Sequence, residues 1–387
     1  MNKVYYKEAS NKIRFSTKYL GFQLFSFFFN FLGWDTVSFA FPFWGVYIIL
    51  RLIEKKGRLF PTKKVMTEYW GWIGWSTMLM IFGVICLSRP RAFLLTAEYL
   101  LAIIFFFCII DANLSIDELK WLFKMYTYMA IAVTILILLQ HTYFGSDMRF
   151  TVSILGVKKD PNYLAAYLLY PAIYNFYGVY QKKRGAILFF FIIVLGIFLT
   201  GSRGAFVSLA LAIILFIIFN NNLKTLLSIF IIAIVVAIAF IFVIPENISS
   251  RFILTKSLDD GSNRLRLRLW KAGFKIFLDN FFVGAGPSAM IKYGVSYGAP
   301  VANTIVHNTY IEILCEYGIL GFIFFIVPIV KIALKSLFQK QVITISIMAG
   351  FLCASFIISA QTLQYFWFDI ALCASVTLHK DFLVNFN

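Results

Sequence analysis

The sequence predicts an all-α, polytopic membrane protein, and three observations carry that reading. Of 387 residues, 61% are apolar and 19% aromatic, with only 14% charged, a balance suited to lipid and not to water. Phe and Ile occur in long unbroken runs, and windows such as 187–199 are apolar on every side. In hydrocarbon each backbone group must be bonded within its own segment or in a closed barrel. The alternation of a barrel strand is absent, so the runs read as helices. Finally, 35 Lys and Arg against 18 Asp and Glu give a net charge of +17, and most of these cations sit in short loops beside apolar runs. That is an orientation signal of membrane proteins, so no nucleic acid partner is expected.

Taken in order, the runs give about twelve candidate spans: 18–33, 37–53, 69–87, 92–110, 119–140, 162–180, 186–200, 204–219, 224–244, 308–330, 342–359 and 363–379. The first two are short and read as hairpin arms around Gly33-Trp34-Asp35. The basic start before them reads as a retained cytoplasmic segment, since no small-residue cleavage site follows. A cytoplasmic start places loops 51–64, 181–184 and 331–340, rich in Lys and Arg, on the inside. Segments 88–91, 141–163, 201–204 and 245–307 then face outward. Cys86, Cys108, Cys315, Cys353 and Cys373 lie in apolar runs without a CxxC pair and read as packing residues. No internal repeat or linker divides the chain, so residues 1–387 are expected to form one membrane domain, with 245–307 as its large external loop.

That loop holds Arg251, Lys256, Arg264, Arg266, Arg268, Lys271 and Lys275 against the charge trend. Its length exempts it from the orientation rule, so its charge needs another reason. If Asn263 caps a helix running to Asp279, Arg264, Arg268, Lys271 and Lys275 share one stripe. Leu267, Trp270, Phe274, Phe277 and Leu278 form the opposite, apolar stripe of an amphipathic interfacial helix. Arg266 falls on the side of Trp270 and Phe277. A guanidinium facing an apolar surface calls for an anionic partner, which makes Arg266 the candidate phosphate ligand. Arg-Leu-Arg-Leu also alternates with period two, so Arg264 stands as the alternate.

Other motifs flank this loop. In Thr200-Gly-Ser-Arg-Gly-Ala205, Arg203 reads either as a cation snorkelling from a tight interhelical turn or as a second anion ligand at the mouth of the bundle. In His307-Asn-Thr-Tyr-Ile-Glu312, His307 opens a span in which Glu312 and Glu316 are unusual carboxylates, and its titration range suits a general base. Asp160-Pro-Asn162 opens another span with turn and cap chemistry. Gly284-Ala-Gly-Pro287 reads as a turn, without the preceding strand that a nucleotide site would need. His141 at a span end and His379 in the tail are weaker candidates. No His, Cys and Asp spacing suggests a metal.

Gly-Ser-Arg-Gly, then Arg266-Leu-Arg-Leu-Trp-Lys-Ala-Gly, then Gly-Ala-Gly-Pro, then His307-Asn-Thr-Tyr-Ile-Glu, in that order, resemble the O-antigen polymerase and O-antigen ligase superfamily. Asp-Pro-Asn-Tyr-Leu-Ala is similar to its Asn-Pro-Asn element, with Asp160 replacing the first Asn. The likeness covers about residues 150–330. The chain departs from it in carrying Arg264 and Arg268 where an acidic residue and one Arg are frequent. The resemblance implies a metal-independent, inverting glycosyltransferase without a cofactor, multi-pass in a bacterial cytoplasmic (inner) membrane, its site facing the periplasm or cell exterior. Its substrates would be an undecaprenyl-diphosphate-linked oligosaccharide donor and a glycan acceptor, with membrane lipid around it and a chain-length regulator and a flippase as further partners. Arg203, Arg266 and His307 would be catalytic, and Arg264, Asn162, Asn308 and Glu312 would bind substrate. A polysaccharide polymerase is the primary expectation, an O-antigen ligase passing finished glycan to lipid A-core the alternative. A polysaccharide transporter or flippase is a third reading, against which stand mostly uncharged spans and the absence of repeated halves.

Overall fold

A computed structural model describes residues 13–26, 33–34, 37–38, 40–58, 61–144, 149–220 and 261–379. The expected span 224–244 and the start of the long loop, to residue 260, lie outside the described residues. The chain is mostly helical, 76%, as an all-α class requires. In chain order the described helices are α1 (Phe15–Phe22), α2 (Phe41–Glu54), α3 (Lys63–Glu68), α4 (Trp70–Ile85), α5 (Pro90–Asp111), α6 (Ile116–Gln140) and α7 (Pro161–Tyr180). They continue with α8 (Ala186–Leu199), α9 (Arg203–Asn220), α10 (Gly261–Asp279), α11 (Ala289–Tyr293), α12 (Thr309–Phe338), α13 (Val342–Ala354) and α14 (Gln364–Val376). Three two-stranded antiparallel ribbons interrupt them: Gly33–Trp34 with Val37–Ser38, Thr142–Phe144 with Arg149–Thr151, and Ser153–Ile154 with Val157–Lys158.

Among the described residues α5, α6, α9 and α12 are long and apolar enough to cross a membrane, and α4, α8 and α13 are shorter apolar helices. Among the described residues four of the twelve expected spans, 92–110, 119–140, 204–219 and 308–330, thus coincide with helices of that length and composition. The first run ends its α-helix at Phe22, and the 3-10 turn Ala360–Thr362 separates α13 from α14 at the boundary expected between runs 342–359 and 363–379.

Because lipid tails are as apolar as the side chains, packing and polar contacts must hold such helices together. Helix α4 lies against α5 and α12, α5 against α2 and α14, and α9 against α13 and α7. Trp72, Trp75 and Trp367 are buried where these meet. Trp72 sits edge-on to Phe106 with centroids 4.3 Å apart, and its indole N–H donates to the Phe325 carbonyl at 3.0 Å. Helix α6 starts from a capping box: Glu118 N–H donates to Ser115 Oγ, and Ser115 N–H to the Glu118 carboxylate. Arg14 grips that carboxylate through Nε at 2.7 Å and Nη2 at 2.6 Å.

Helix α12 is broken at Gly318, with φ 64° and ψ −167°. The carbonyls and amides freed there are taken up by the segment after α10. Ala285 N–H donates to Cys315 O at 3.0 Å and Gly286 N–H to Glu316 O at 2.9 Å, while Ile319 N–H donates to Phe281 O at 2.8 Å. Ser288 N–H donates to the Glu316 carboxylate at 2.7 Å. The Gly284–Pro287 turn thus stitches the segment after α10 into the broken helix α12. Gly284 sits at φ +76°, and a Cβ there would lie 2.4 Å from the Glu316 backbone.

Candidate active site

Helix α10 ends at Asp279 as expected but is already formed at Gly261. Asn263 is therefore inside the first turn and not its cap, and its side-chain oxygen accepts from Arg203 Nη2 at 3.4 Å. Arg264, Arg268, Lys271 and Lys275 are all exposed, as one basic stripe should be. The apolar stripe needs correcting. Leu269, Ala272, Gly273, Ile276 and Phe277 are buried, while Leu267, Phe274 and Leu278 are exposed. The reason is that small residues allow the close approach: a Cβ on Gly273 would meet Val306 and Ile311 at little over 3 Å. The helix docks by a face that joins Ala272 and Gly273 to Leu269, Ile276 and Phe277, and Leu267, Phe274 and Leu278 flank the basic stripe outside.

Arg266 lies on the docked side of α10, half-buried. Burial pulls its guanidinium below the ordinary arginine range. Asp160 and Tyr163 act upward on it, while Arg149 and Arg203 push it further down. The four groups that set its field come from three separate elements. Arg149, Asn162, Arg203, Asn263, Arg266 and Trp270 line one pocket of about 420 Å³. Arg203 begins α9 directly after the Gly201-Ser202 turn, so the turn delivers its side chain to the pocket.

Asp160 caps α7, its carboxylate accepting from Asn162 N–H at 2.7 Å and from Asn162 Nδ2 at 3.0 Å. With its amide nitrogen held this way, Asn162 turns its Oδ1 toward two donors, Ser202 Oγ at 3.1 Å and Arg149 Nη1 at 3.4 Å. His307 sits at φ +55°, a left-handed backbone uncommon for a side chain of its size. The strain is held by its neighbours. Asn308 caps α12, accepting from Tyr310 N–H at 3.0 Å and Ile311 N–H at 3.1 Å. Thr309 N–H donates to the Ser355 and Ile358 carbonyls. Burial lowers the His307 imidazole from its ordinary value, Asp160 raises it, and Arg266 lowers it again. His307 thus shares the field of Asp160 and Arg266 with the pocket.

The structure brings Arg203, Arg266 and Asn162 to one pocket; His307 does not line that pocket, though Arg266 acts on its titration. Arg264, the alternate, is exposed and does not line the pocket. Asn308 spends its side-chain oxygen on the helix cap. Glu312 is buried and accepts from Ser359 Oγ. Sequence reasoning missed Arg149. The one signal available was its charge in a loop expected to face outward, against the orientation trend, the same argument that singled out the long loop. Three guanidiniums, those of Arg149, Arg203 and Arg266, line the pocket, a charge balance that favours an anion.

Apolar helices long enough to cross a membrane, with an arginine-lined pocket among them, point to an integral membrane protein. Residues 188–326 match a family model described as O-antigen ligase, which supports the O-antigen ligase and polymerase superfamily over a stretch containing Arg203, Arg266 and His307. No curated protein matches the chain. The family implies a glycosyltransferase-like enzyme of the O-antigen ligase or polymerase type.

Proposed function

We propose that the chain is a polysaccharide polymerase, moving a growing glycan from undecaprenyl diphosphate to a lipid-linked repeat unit at the outer face of a bacterial cytoplasmic membrane. The observation that carries it is the convergence of Arg203 and Arg266 on one pocket, with His307 in the field of Arg266. The acceptor hydroxyl attacks the anomeric carbon as the bond to the diphosphate oxygen breaks, so one displacement inverts the configuration. Negative charge grows on the leaving diphosphate, where preorganised guanidiniums stabilise it as a metal ion otherwise would. The hydroxyl proton passes to His307 as general base.

The ligase reading has its own support in the description of the matching family; donor chemistry is common to both, and the acceptor separates them. Purified protein given synthetic lipid-linked repeat units in a metal chelator should yield a ladder of glycans, and no elongation would overturn the polymerase reading. In a deletion strain, single repeats on the core mark a lost polymerase, and polymer stranded on the carrier lipid marks a lost ligase. Arg203→Ala, Arg266→Ala or His307→Ala should each abolish long-chain glycan while the protein stays in the membrane. A wild-type chain-length distribution in any of them would remove that residue from the mechanism.

A further inference from the structure

We infer that Arg149 is a third ligand of the lipid diphosphate, and that Asn162 is a positioning residue acting through Arg149 and the Arg203 turn. The inference rests on the transfer reading above and adds to it a residue outside the matched stretch 188–326. Arg149 starts the second strand of the ribbon pairing Thr142–Phe144 with Arg149–Thr151, where it lies opposite Phe144. The ribbon is anchored from behind. Phe150 and Val152 are buried, Thr151 Oγ1 donates to Lys159 O at 2.6 Å, and Lys159 N–H donates to Val152 O at 3.0 Å. An arginine on a pinned ribbon lines the pocket alongside Arg203 of α9 and Arg266 of α10, so that three separate elements each supply one guanidinium.

Asn162 joins these parts. Its nitrogens are committed to Asp160, and its oxygen accepts from Arg149 and from Ser202, the residue before Arg203. One carbonyl oxygen therefore sets the direction of one guanidinium and braces the turn that presents another. Two arginines can neutralise one phosphate. A third matches a diphosphate, whose two phosphorus centres offer oxygens on both sides of the bridging atom, so Arg149 gives the pocket its preference for diphosphate over monophosphate.

The test is binding of undecaprenyl diphosphate and undecaprenyl monophosphate to the full-length protein in detergent, with thermal melting of each variant alongside. Wild-type protein should prefer the diphosphate. Arg149→Gln should weaken diphosphate binding about tenfold or more, the loss of one charged hydrogen-bonding group, and leave monophosphate binding nearly unchanged. Arg149→Lys should recover part of the loss. Asn162→Ala should lower diphosphate binding by a similar factor at an unchanged melting point, and the double variant should lose less than the two single losses combined, since part of the Asn162 effect runs through Arg149. Wild-type diphosphate binding in Arg149→Gln overturns the assignment, and additive losses overturn the positioning role of Asn162. A wild-type protein that does not distinguish the two lipids overturns the transfer reading itself.

Discussion

Arg266 and His307 answer to one another through charge, and that makes their chemistry testable by pH. As general base His307 must be neutral, so activity should fall as pH drops through its titration. Burial and the Arg266 guanidinium hold that titration below the ordinary histidine value of 6.5, and Asp160 works against them. Asp160→Asn keeps a helix cap and removes the one group that raises His307, so the acid limb of kcat/KM should move to still lower pH. An upward shift in initial-rate profiles would contradict the base assignment. Arg266→Lys substitutes a point charge for a planar fork and should cost about tenfold or more in kcat, read in the elongation assay. Arg266 was legible from the sequence because helical geometry separates it from Arg264 and Arg268 by angle alone. Arg149 was not, because its partner Asn162 lies 13 positions away across a ribbon, and no local period links the two.

The segment after α10 shows how a turn motif becomes a structural joint. Its sequence spelled a turn at Gly284–Pro287, but not that the turn would complete the broken backbone of α12 at Gly318, since that pairing is set by two distant segments. Gly284 and Gly298 separate the two demands on a glycine. Both have positive φ, +76° and +91°, yet a Cβ at Gly284 would strike the Glu316 backbone while nothing lies within 4 Å at Gly298. Gly298→Ala should cost only the left-handed backbone penalty, about 1 kcal/mol. Gly284→Ala adds overpacking against backbone and should cost about 2 kcal/mol or more. Thermal melting in detergent compares them directly, and equal shifts would show that the joint at Gly318 gives way without strain. Helix α10 was legible as amphipathic from its charges. Its docking face was not, because the period of large apolar residues pointed to Leu267 and Phe274, whereas close approach selected Ala272 and Gly273.

Across the whole bundle the two ends differ in how their charges are used. At the end holding loop 51–64, cations are paired with carboxylates: Arg51 with Glu54, Lys55 with Asp111 and Lys335 with Glu68. At the other end Arg149, Arg203 and Arg266 face a pocket with Asp160 as the carboxylate in the field of Arg266. The charge bias of short loops is the orientation signal the sequence carries, because it depends on counts of Lys and Arg rather than on contacts. The number of spans was less legible, since hydropathy marks how much chain is apolar and not where turns divide it. If the paired end is cytoplasmic, a single cysteine at Lys275, on the exposed stripe of α10, should react with a membrane-impermeant maleimide in intact cells. One at Arg184, exposed in the loop between α7 and α8, should react only after permeabilisation. With the five natural cysteines replaced, the reverse pattern would put the pocket on the cytoplasmic side, away from a donor displayed at the outer face, and the polymerase reading would fail with the orientation.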